Sequence, residues 1–220
     1  MKELIRFVNL GVKPYEETLV LQRKLVEQLH SDNSSDDVVL LVEHPHVFTV
    51  GRKKDALQNV LNPGEIPVIE IERGGDVTYH GPGQLVIYPI MNLEAIHTHL
   101  DFYLRSLEDI VIRTLSKWGI KGTKVKGYTG VWIGDRKIAS IGIAVKKWIT
   151  FHGIALNVNT DLSYFSRIQP CGLNAEVMTS MQAITTREIP IDQVIYHLIK
   201  EFEQEFNRTA SLIPAGDLTV

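Results

Sequence analysis

The sequence is poor in cysteine, because Cys171 is the single thiol in a chain of 220 residues. One cysteine excludes an intramolecular disulfide and argues against a disulfide-stabilised secreted domain. The sequence also lacks an apolar run long enough to span a membrane, and its charged first residues do not form the pattern of a signal peptide. We therefore expect a cytoplasmic protein that has no membrane partner.

An excess of positive charge is also absent, since the formal net charge is −3. A nucleic-acid-binding domain usually carries a basic stripe or patch, so we expect no nucleic-acid partner. The positive charge that is present lies in three short clusters, at residues 52–54, 121–126 and 146–147. Such clusters are ordinarily solvated loop ends, and together they are also suited to steering an acidic protein towards a site.

The spacing of apolar residues predicts a mixture of helices and strands. Helices are expected at residues 14–30, 100–119 and 191–206. Strands are expected at residues 4–10, 38–42, 66–71 and 85–88, followed by a three-stranded meander within residues 131–158. This combination predicts one α+β domain over residues 1–220, with a mixed, largely antiparallel sheet flanked by helices.

A glycine-rich segment between two of these strands is the strongest local indication of a functional site. Glycines permit close approach of another group to the backbone, and the cation, the imidazole and the amide nearby exceed what a structural turn needs. A plain glycine-rich hairpin is the competing interpretation. The segment reads Arg73-Gly74-Gly75-Asp76-Val77-Thr78-Tyr79-His80-Gly81-Pro82-Gly83-Gln84.

Cys171 lies between Pro170 and Gly172, outside any helical or strand pattern. A lone cysteine is more often an inert core residue, but this loop context favours a reactive thiol. A nucleophilic thiol needs a nearby cation, because at an ordinary pKa near 8.5 only about 3% is ionised at neutral pH. Lys137, His80 and His152 are candidate partners, and spacing alone does not choose among them.

Paired histidines suggest a metal site as an alternative. His44 and His46, and again His97 and His99, are two residues apart, which on a strand places both rings on one face. There is no second cysteine, the acidic residues are not clustered near these rings, and the second pair precedes a helix. We therefore expect no metal.

Five blocks in this order and spacing resemble the lipoyl(octanoyl) transferase family. The resemblance covers most of the chain, and its central motif, Arg-Gly-Gly-x-x-Thr-Tyr-His-x-x-Gly-Gln, is highly specific. The blocks are residues 43–52, residues 73–88, residues 134–142, residues 151–158 and residues 170–172.

What this resemblance implies can be stated residue by residue. It implies the fold of the biotin/lipoyl protein ligase catalytic domain, with Cys171 as the residue that takes the octanoyl group as a thioester. It implies that Lys137 lowers the pKa of that thiol and transfers protons. The substrate-binding residues that it implies are Arg73, Gly74, Gly75, Asp76, Val77, Thr78, Tyr79 and His80, then Ser140, Ile141 and Gly142, then Gly153, Ile154 and Ala155.

The resemblance also implies two protein partners in turn. Acyl carrier protein would donate the octanoyl group, and a lysine on lipoyl domains of 2-oxoacid dehydrogenase complexes or on glycine cleavage protein H would accept it. No cofactor is expected, since thioester exchange followed by amide formation needs no ATP. Two alternatives stay open at this point: an ATP-dependent lipoate or biotin ligase on the same fold, and a non-enzymatic module that binds lipoyl domains.

Overall fold

The computed structural model describes residues 4–32, 36–96, 98–169 and 177–218. Cys171 and His97 lie outside the described residues. The helices are α1 (Tyr15–Ser31), α2 (Leu100–Ser116), α3 (Met181–Thr185) and α4 (Ile191–Phe206), with 3-10 helices at Ala56–Asn59, Leu162–Arg167 and Ala215–Asp217. The strands are β1 (Leu4–Val12), β2 (Asp37–Glu43), β3 (Val47–Val50), β4 (Val68–Glu70), β5 (Val77–His80), β6 (Gln84–Ile90), β7 (Thr123–Val125), β8 (Tyr128–Ile133), β9 (Arg136–Lys146), β10 (Ile149–Asn157) and β11 (Thr209–Ile213).

Eight strands form the main sheet in the order β11-β1-β2-β6-β10-β9-β8-β7. The two pairings at one edge, β11 with β1 and β1 with β2, are parallel. The remaining five pairings are antiparallel, and β8 to β10 form the expected meander. The predicted fold class, an α+β protein with a mixed and largely antiparallel sheet, is therefore confirmed.

The predicted helices occur at the expected places. Pro14, whose fixed φ suits a helix start, stands immediately before α1, and α4 has the predicted bounds of residues 191–206. The second helix ends at Ser116, three residues before the expected Gly119. No helix within the described ranges is long and apolar enough to cross a membrane.

A smaller sheet in the order β4-β3-β5 lies outside the main sheet, and the sequence patterns did not separate it. The predicted buried strand at residues 66–71 is shortened to β4, whose residues are half-buried or exposed. The glycine-rich segment is only partly a loop, since residues 77–80 form β5 and pair with β3. The small sheet has its own apolar cluster, which includes Phe48, Tyr79 and Phe165.

The main sheet is covered by helices on both faces. The α1 helix packs on one face, where Leu19 and Val26 join a buried cluster with Phe151 of β10. On the opposite face, α2 and α4 enclose the larger cluster, in which Leu107 and Leu198 are fully buried. The small sheet contacts α1 through His80 of β5, whose ring stacks on that of Tyr15 at 5.7 Å.

Candidate active site

A cavity of about 420 Å³ collects almost all of the predicted site residues. Its lining contains Lys137 together with segments that lie far apart in the sequence. The predicted residues that line it are Arg73, Gly74, Gly75, Asp76, Val77, Thr78 and His80, the segment Ser140, Ile141 and Gly142, and the segment Gly153, Ile154 and Ala155.

Tyr79 is the one predicted and described residue that does not line this cavity. Its side chain is fully buried in the small sheet's apolar cluster, where its ring stacks on Tyr164 at 5.0 Å. Its hydroxyl lies 2.7 Å from Nδ1 of His46. Strand alternation explains the difference, because Thr78 and His80 point to the face of β5 opposite to Tyr79.

A β-bulge directs Lys137 into the cavity. Strands β8 and β9 pair regularly through Val131 and Ala139, but the next pair is Trp132 with Lys137, so Ile138 has no partner. The extra residue places Lys137 on the same face as Ser140 rather than the opposite one. The bulge therefore explains why Lys137 lines the cavity.

The Lys137 side chain lies across β8. Its ammonium nitrogen is 5.6 Å from the centre of the Trp132 ring, within the range of a cation–π contact. A Cβ atom added at Gly130 would overlap the carbonyl oxygen of Ala139 and would lie 2.6 Å from Cε of Lys137, so this position requires glycine. The Lys137 ammonium is thus positioned beside Gly130.

Residues next to the Cys171 segment border the same cavity. Val177 and Met178 line it, and the backbone N–H of Thr179 donates to the carbonyl of Lys137 at 3.0 Å. On the other side of Cys171, the backbone N–H of Gln169 donates to the carbonyl of Asn59 at 2.8 Å. The chain on both sides of the predicted nucleophile is therefore hydrogen-bonded near the cavity.

Arg73 holds the glycine-rich segment over the sheet. Its guanidinium is buried and donates to the carbonyl and the hydroxyl of Thr49, at 2.9 and 3.1 Å. The backbone N–H of Gly74 donates to the carbonyl of Ile143 on β9 at 3.1 Å. A Cβ at Gly142 would lie 3.1 Å from the Gly74 carbonyl, so this glycine permits the close approach.

Asp76 anchors the same segment through a buried carboxylate. It accepts hydrogen bonds from the Lys53 ammonium, the Asn59 amide and the backbone N–H of Val77, at 2.7 to 2.8 Å. Burial raises the pKa of Asp76, but these donors outweigh burial and leave the pKa lowered. Its carboxylate is thus ionised and engaged with protein donors.

One end of the cavity is closed by hydroxyl and imidazole groups. The Tyr15 hydroxyl lies 3.4 Å from Nδ1 of His152, and both side chains are buried. His152 has a φ of +56°, which is uncommon for a residue with a side chain and turns its ring towards α1. Tyr88 also lines this end. Nδ1 of His44 donates to the Lys13 carbonyl, so Nε2 of the neutral ring is the acceptor and receives a hydrogen bond from the Tyr88 hydroxyl at 2.8 Å.

These imidazoles are neutral at physiological pH. Burial lowers the pKa of His44 and His152 to about 4, with a smaller upward effect of Glu72 on His152. Burial, together with the neighbouring His44, lowers the pKa of His80 to about 3. Burial also raises the pKa of Tyr15 and Tyr88, so this end of the cavity offers neutral donors and acceptors.

The two histidines of the first pair have different partners. His44 is bonded to Tyr88, whereas His46 stacks on Tyr164 at 4.4 Å. His97, of the second pair, lies outside the described residues. Among the residues that the structure describes, no group of three or more His, Cys, Asp or Glu side chains is arranged to hold a metal ion.

Sequence reasoning missed Tyr15 and Tyr88, which line the cavity, and Glu108, which supports Gly130 from α2. Glu108 is fully buried on α2, and its carboxylate accepts from the backbone N–H of Gly130 at 2.9 Å. A signal for it was present, because Glu108 lies four residues after Leu104 and three before Val111, on the apolar stripe of its helix. A carboxylate on such a stripe indicates a buried partner.

Solved structures share the fold of this chain. A lipoate-protein ligase A bound with ATP has a TM-score of 0.71 at 16% identity. The match covers 97% of this chain and 90% of the ligase chain. A bipartite lipoate protein ligase from Thermoplasma acidophilum, studied with its E2 lipoyl domain, has a TM-score of 0.68 at 16% identity. The match covers 99% of this chain and 89% of the ligase chain. These similarities confirm the predicted ligase-like catalytic fold.

Sequence relatives are more specific. The lipoyl protein ligase A/B catalytic domain family matches residues 14–203. The octanoyltransferase of Syntrophotalea carbinolica is 45% identical, over 89% of this chain and 91% of its own length. The octanoyltransferase of Caldanaerobacter subterraneus subsp. tengcongensis is 42% identical, over 90% of this chain and 89% of its own length. The chain therefore belongs to the lipoyl protein ligase A/B catalytic domain family and, within it, to the octanoyltransferases.

Proposed function

We propose that the protein transfers an octanoyl group from acyl carrier protein to a lysine of a lipoyl domain, through a thioester on Cys171. The observation that supports this most directly is the cavity in which Lys137 lies beside the residues that follow the Cys171 segment. The Lys137 ammonium, neutral hydrogen-bonding groups and an apolar lining suit an acyl chain with a reactive carbonyl. We also propose a cytoplasmic location, because the nucleophile must remain a reduced thiol.

The reaction proceeds in two steps. In the first, the Cys171 thiolate attacks the thioester carbon of the donor, a new carbon–sulfur bond forms, and the carrier's thiolate leaves and takes a proton. In the second, the ε-amine of the acceptor lysine attacks the acyl-enzyme, the carbon–sulfur bond breaks, and an amide forms. Lys137 favours the thiolate through its charge and gives a proton to the leaving carrier thiolate in the first step. As a neutral amine it then takes up the proton that the attacking amine loses in the second step.

The developing oxyanion in each step needs a hydrogen-bond donor. The N–H of Gly74 is occupied by the Ile143 carbonyl, whereas the N–H of Gly75 has no partner among the described residues. Gly75 also lines the cavity. We therefore assign the donor to the Gly75 N–H in preference to that of Gly74.

The acceptor class is supported by a structural relative. The Thermoplasma acidophilum ligase, which has the same fold, acts in a lipoylation system together with its E2 lipoyl domain. We propose lipoyl domains of 2-oxoacid dehydrogenase complexes and glycine cleavage protein H as acceptors for this chain. Both the donor and the acceptor then carry the reacting group on a flexible arm that can reach a cavity.

Intact-mass measurement tests the proposal. Purified protein mixed with octanoyl carrier protein should gain the mass of one octanoyl group, and Cys171→Ser should gain none. Addition of an apo lipoyl domain should then remove the adduct and octanoylate that domain. A wild-type protein without an adduct, but with lipoyl-domain product from free octanoate and ATP, would indicate a ligase instead.

A further inference from the structure

The pairing of β9 and β10 provides a length scale along the cavity. The Lys137 ammonium lies beside Gly130, and Gly130 is the strand partner of Ser140. His152 is the strand partner of Ile143, three residues further along β9. Since each residue advances a strand by about 3.3 Å, the level of His152 lies about 10 Å beyond the level of the ammonium, measured along the strands.

The two sides of the cavity differ in their access to solvent. On the side of α2 and β8, the lining residues Leu100 and Tyr128 are 41% and 43% exposed. Beneath α1, the lining residues Tyr15, Tyr88 and His152 are each at most 4% exposed. A substrate arm therefore enters beside β8, and a chain that continues past Lys137 meets a closed wall under α1.

We infer that His152, with Tyr15 and Tyr88, forms the end wall that sets the length of the acyl chain. This inference rests on the proposed function, which places the thioester carbon near the Lys137 ammonium. With carbon–carbon bonds of about 1.5 Å and angles near 111°, the seven bonds of an extended octanoyl chain span about 9 Å. That length matches the separation of Lys137 and His152 along the strands.

The wall is held rigidly. The backbone N–H of His152 donates to the buried Gln22 side chain at 2.8 Å, and the His152 ring stacks on Phe151 at 4.8 Å. Its positive φ turns the ring out of the alternation of β10 and onto the cavity face. A chain of ten carbons would be about 2.5 Å longer than the octanoyl chain and would meet the wall, and one of six carbons would leave part of the space unfilled.

The positive φ of His152 makes a specific test available. His152→Gly removes the ring from the wall and suits the backbone conformation, since glycine adopts φ > 0 readily. The rate constant kcat/KM for acylation of Cys171 by acyl-pantetheine thioesters is measured for chains of six to twelve carbons. Wild type should favour eight carbons by about tenfold over six or ten. His152→Gly should shift the optimum to ten or more carbons.

A matched pair of variants separates the wall from a histidine outside it. His152→Asn shortens the wall with a residue that tolerates positive φ, whereas His46→Asn changes a histidine that stacks on Tyr164 and does not line the cavity. We expect His152→Asn to extend the preferred chain and His46→Asn to leave eight carbons preferred. An unchanged optimum in both His152 variants, or an equal shift in His46→Asn, would overturn the inference.

A binding measurement keeps the inference independent of catalysis. Dissociation constants of the free fatty acids with six to twelve carbons are determined for wild type and for His152→Gly, alongside a melting curve that confirms folding. The same change in length preference is expected in binding. If wild type forms no acyl adduct, the proposed function fails, and the binding series still decides whether His152 limits chain length.

Discussion

The carboxylate of Glu108, on a helix, accepts a hydrogen bond of 2.9 Å from the backbone N–H of Gly130, the glycine against which Lys137 packs. The same carboxylate accepts from the half-exposed guanidinium of Arg105 at 2.6 Å. Glu108 itself is fully buried. The position of the Lys137 ammonium thus depends on a residue of α2 that lines no part of the cavity.

Glu108→Ala should lower both stability and thiol activation. It leaves the buried N–H of Gly130 without an acceptor, which costs about 1–3 kcal/mol in the free energy of unfolding. Glu108→Gln keeps an acceptor for that N–H and should lose less. Urea unfolding and the rate of Cys171 alkylation measure the two effects. The neighbouring Asp109, paired with Lys124 at the surface, is the control, and Asp109→Ala should change stability by no more than about 0.5 kcal/mol.

Lys137→Met should raise the pKa of the Cys171 thiol towards its ordinary value of about 8.5, since the substitution removes the cation and keeps the length of the side chain. Alkylation of this single cysteine by iodoacetamide, followed across pH, reports that pKa directly. At pH 7 the variant should react at least about tenfold more slowly than wild type. Lys24→Met, on the exposed side of α1, is the matched control. Equal pH profiles of alkylation for the two variants would show that Lys137 does not activate the thiol.

Stability should fall between about pH 6.5 and pH 5. His44, His80 and His152 have folded pKa values of about 4, 3 and 4, below the unfolded value of about 6.5. The unfolded chain therefore binds more protons over this interval, and the full contribution of these histidines is present only above pH 6.5. Each contributes a slope that approaches about 1.4 kcal/mol per pH unit.

Urea midpoints measured at several values between pH 7.5 and pH 5 test this dependence, because carboxylates contribute little in that interval. His44→Asn should reduce the slope of stability against pH by the contribution of about one histidine, whether or not it lowers the stability at pH 7. A midpoint that is constant over the whole interval would show that these rings are not held neutral.

The sequence was sufficient for the elements whose local pattern matches their surroundings. Helix α4 has the predicted bounds because its apolar face at residues such as Val194 and Leu198 packs as the periodicity requires. The meander was equally predictable, since Gly134 supplies the positive φ of a tight turn. The site segments were found through their motifs, and all but Tyr79 of the described residues line the cavity.

What could not be predicted depends on tertiary contacts. The bulge at Ile138 moves Lys137 to the other face of β9, and no feature of this otherwise regular apolar sequence indicates it. The positive φ of His152 is stabilised by Gln22 of α1, which lies 130 positions earlier. The separation of the small sheet depends on its packing around Tyr79 and Phe165 and not on any local signal.

We expect Lys126 to guide the approach of an acidic carrier protein. Lys126 lies between β7 and β8, next to Gly127 and Tyr128 on the open side of the cavity, and it forms no ion pair with any described residue. Lys146 and Lys147 instead both pair with Glu27, at 2.6 and 3.3 Å. Lys126 should therefore contribute more to steering the partner than the cluster at residues 146–147, and Lys124, which pairs with Asp109 at 2.6 Å, should contribute as little as that cluster.

Lys126→Glu should lower kcat/KM for octanoyl carrier protein several-fold at low ionic strength, and the deficit should shrink as salt screens the charges. Lys147→Glu reverses the same type of charge just after β9 and should have a smaller effect, because Lys147 already pairs with Glu27. A small octanoyl-pantetheine donor carries no acidic surface, so a defect of Lys126→Glu that persisted with that donor would mean that the substitution had altered the cavity. An equal, salt-dependent loss in both variants would assign the steering to the overall charge of the protein and remove the special role of Lys126.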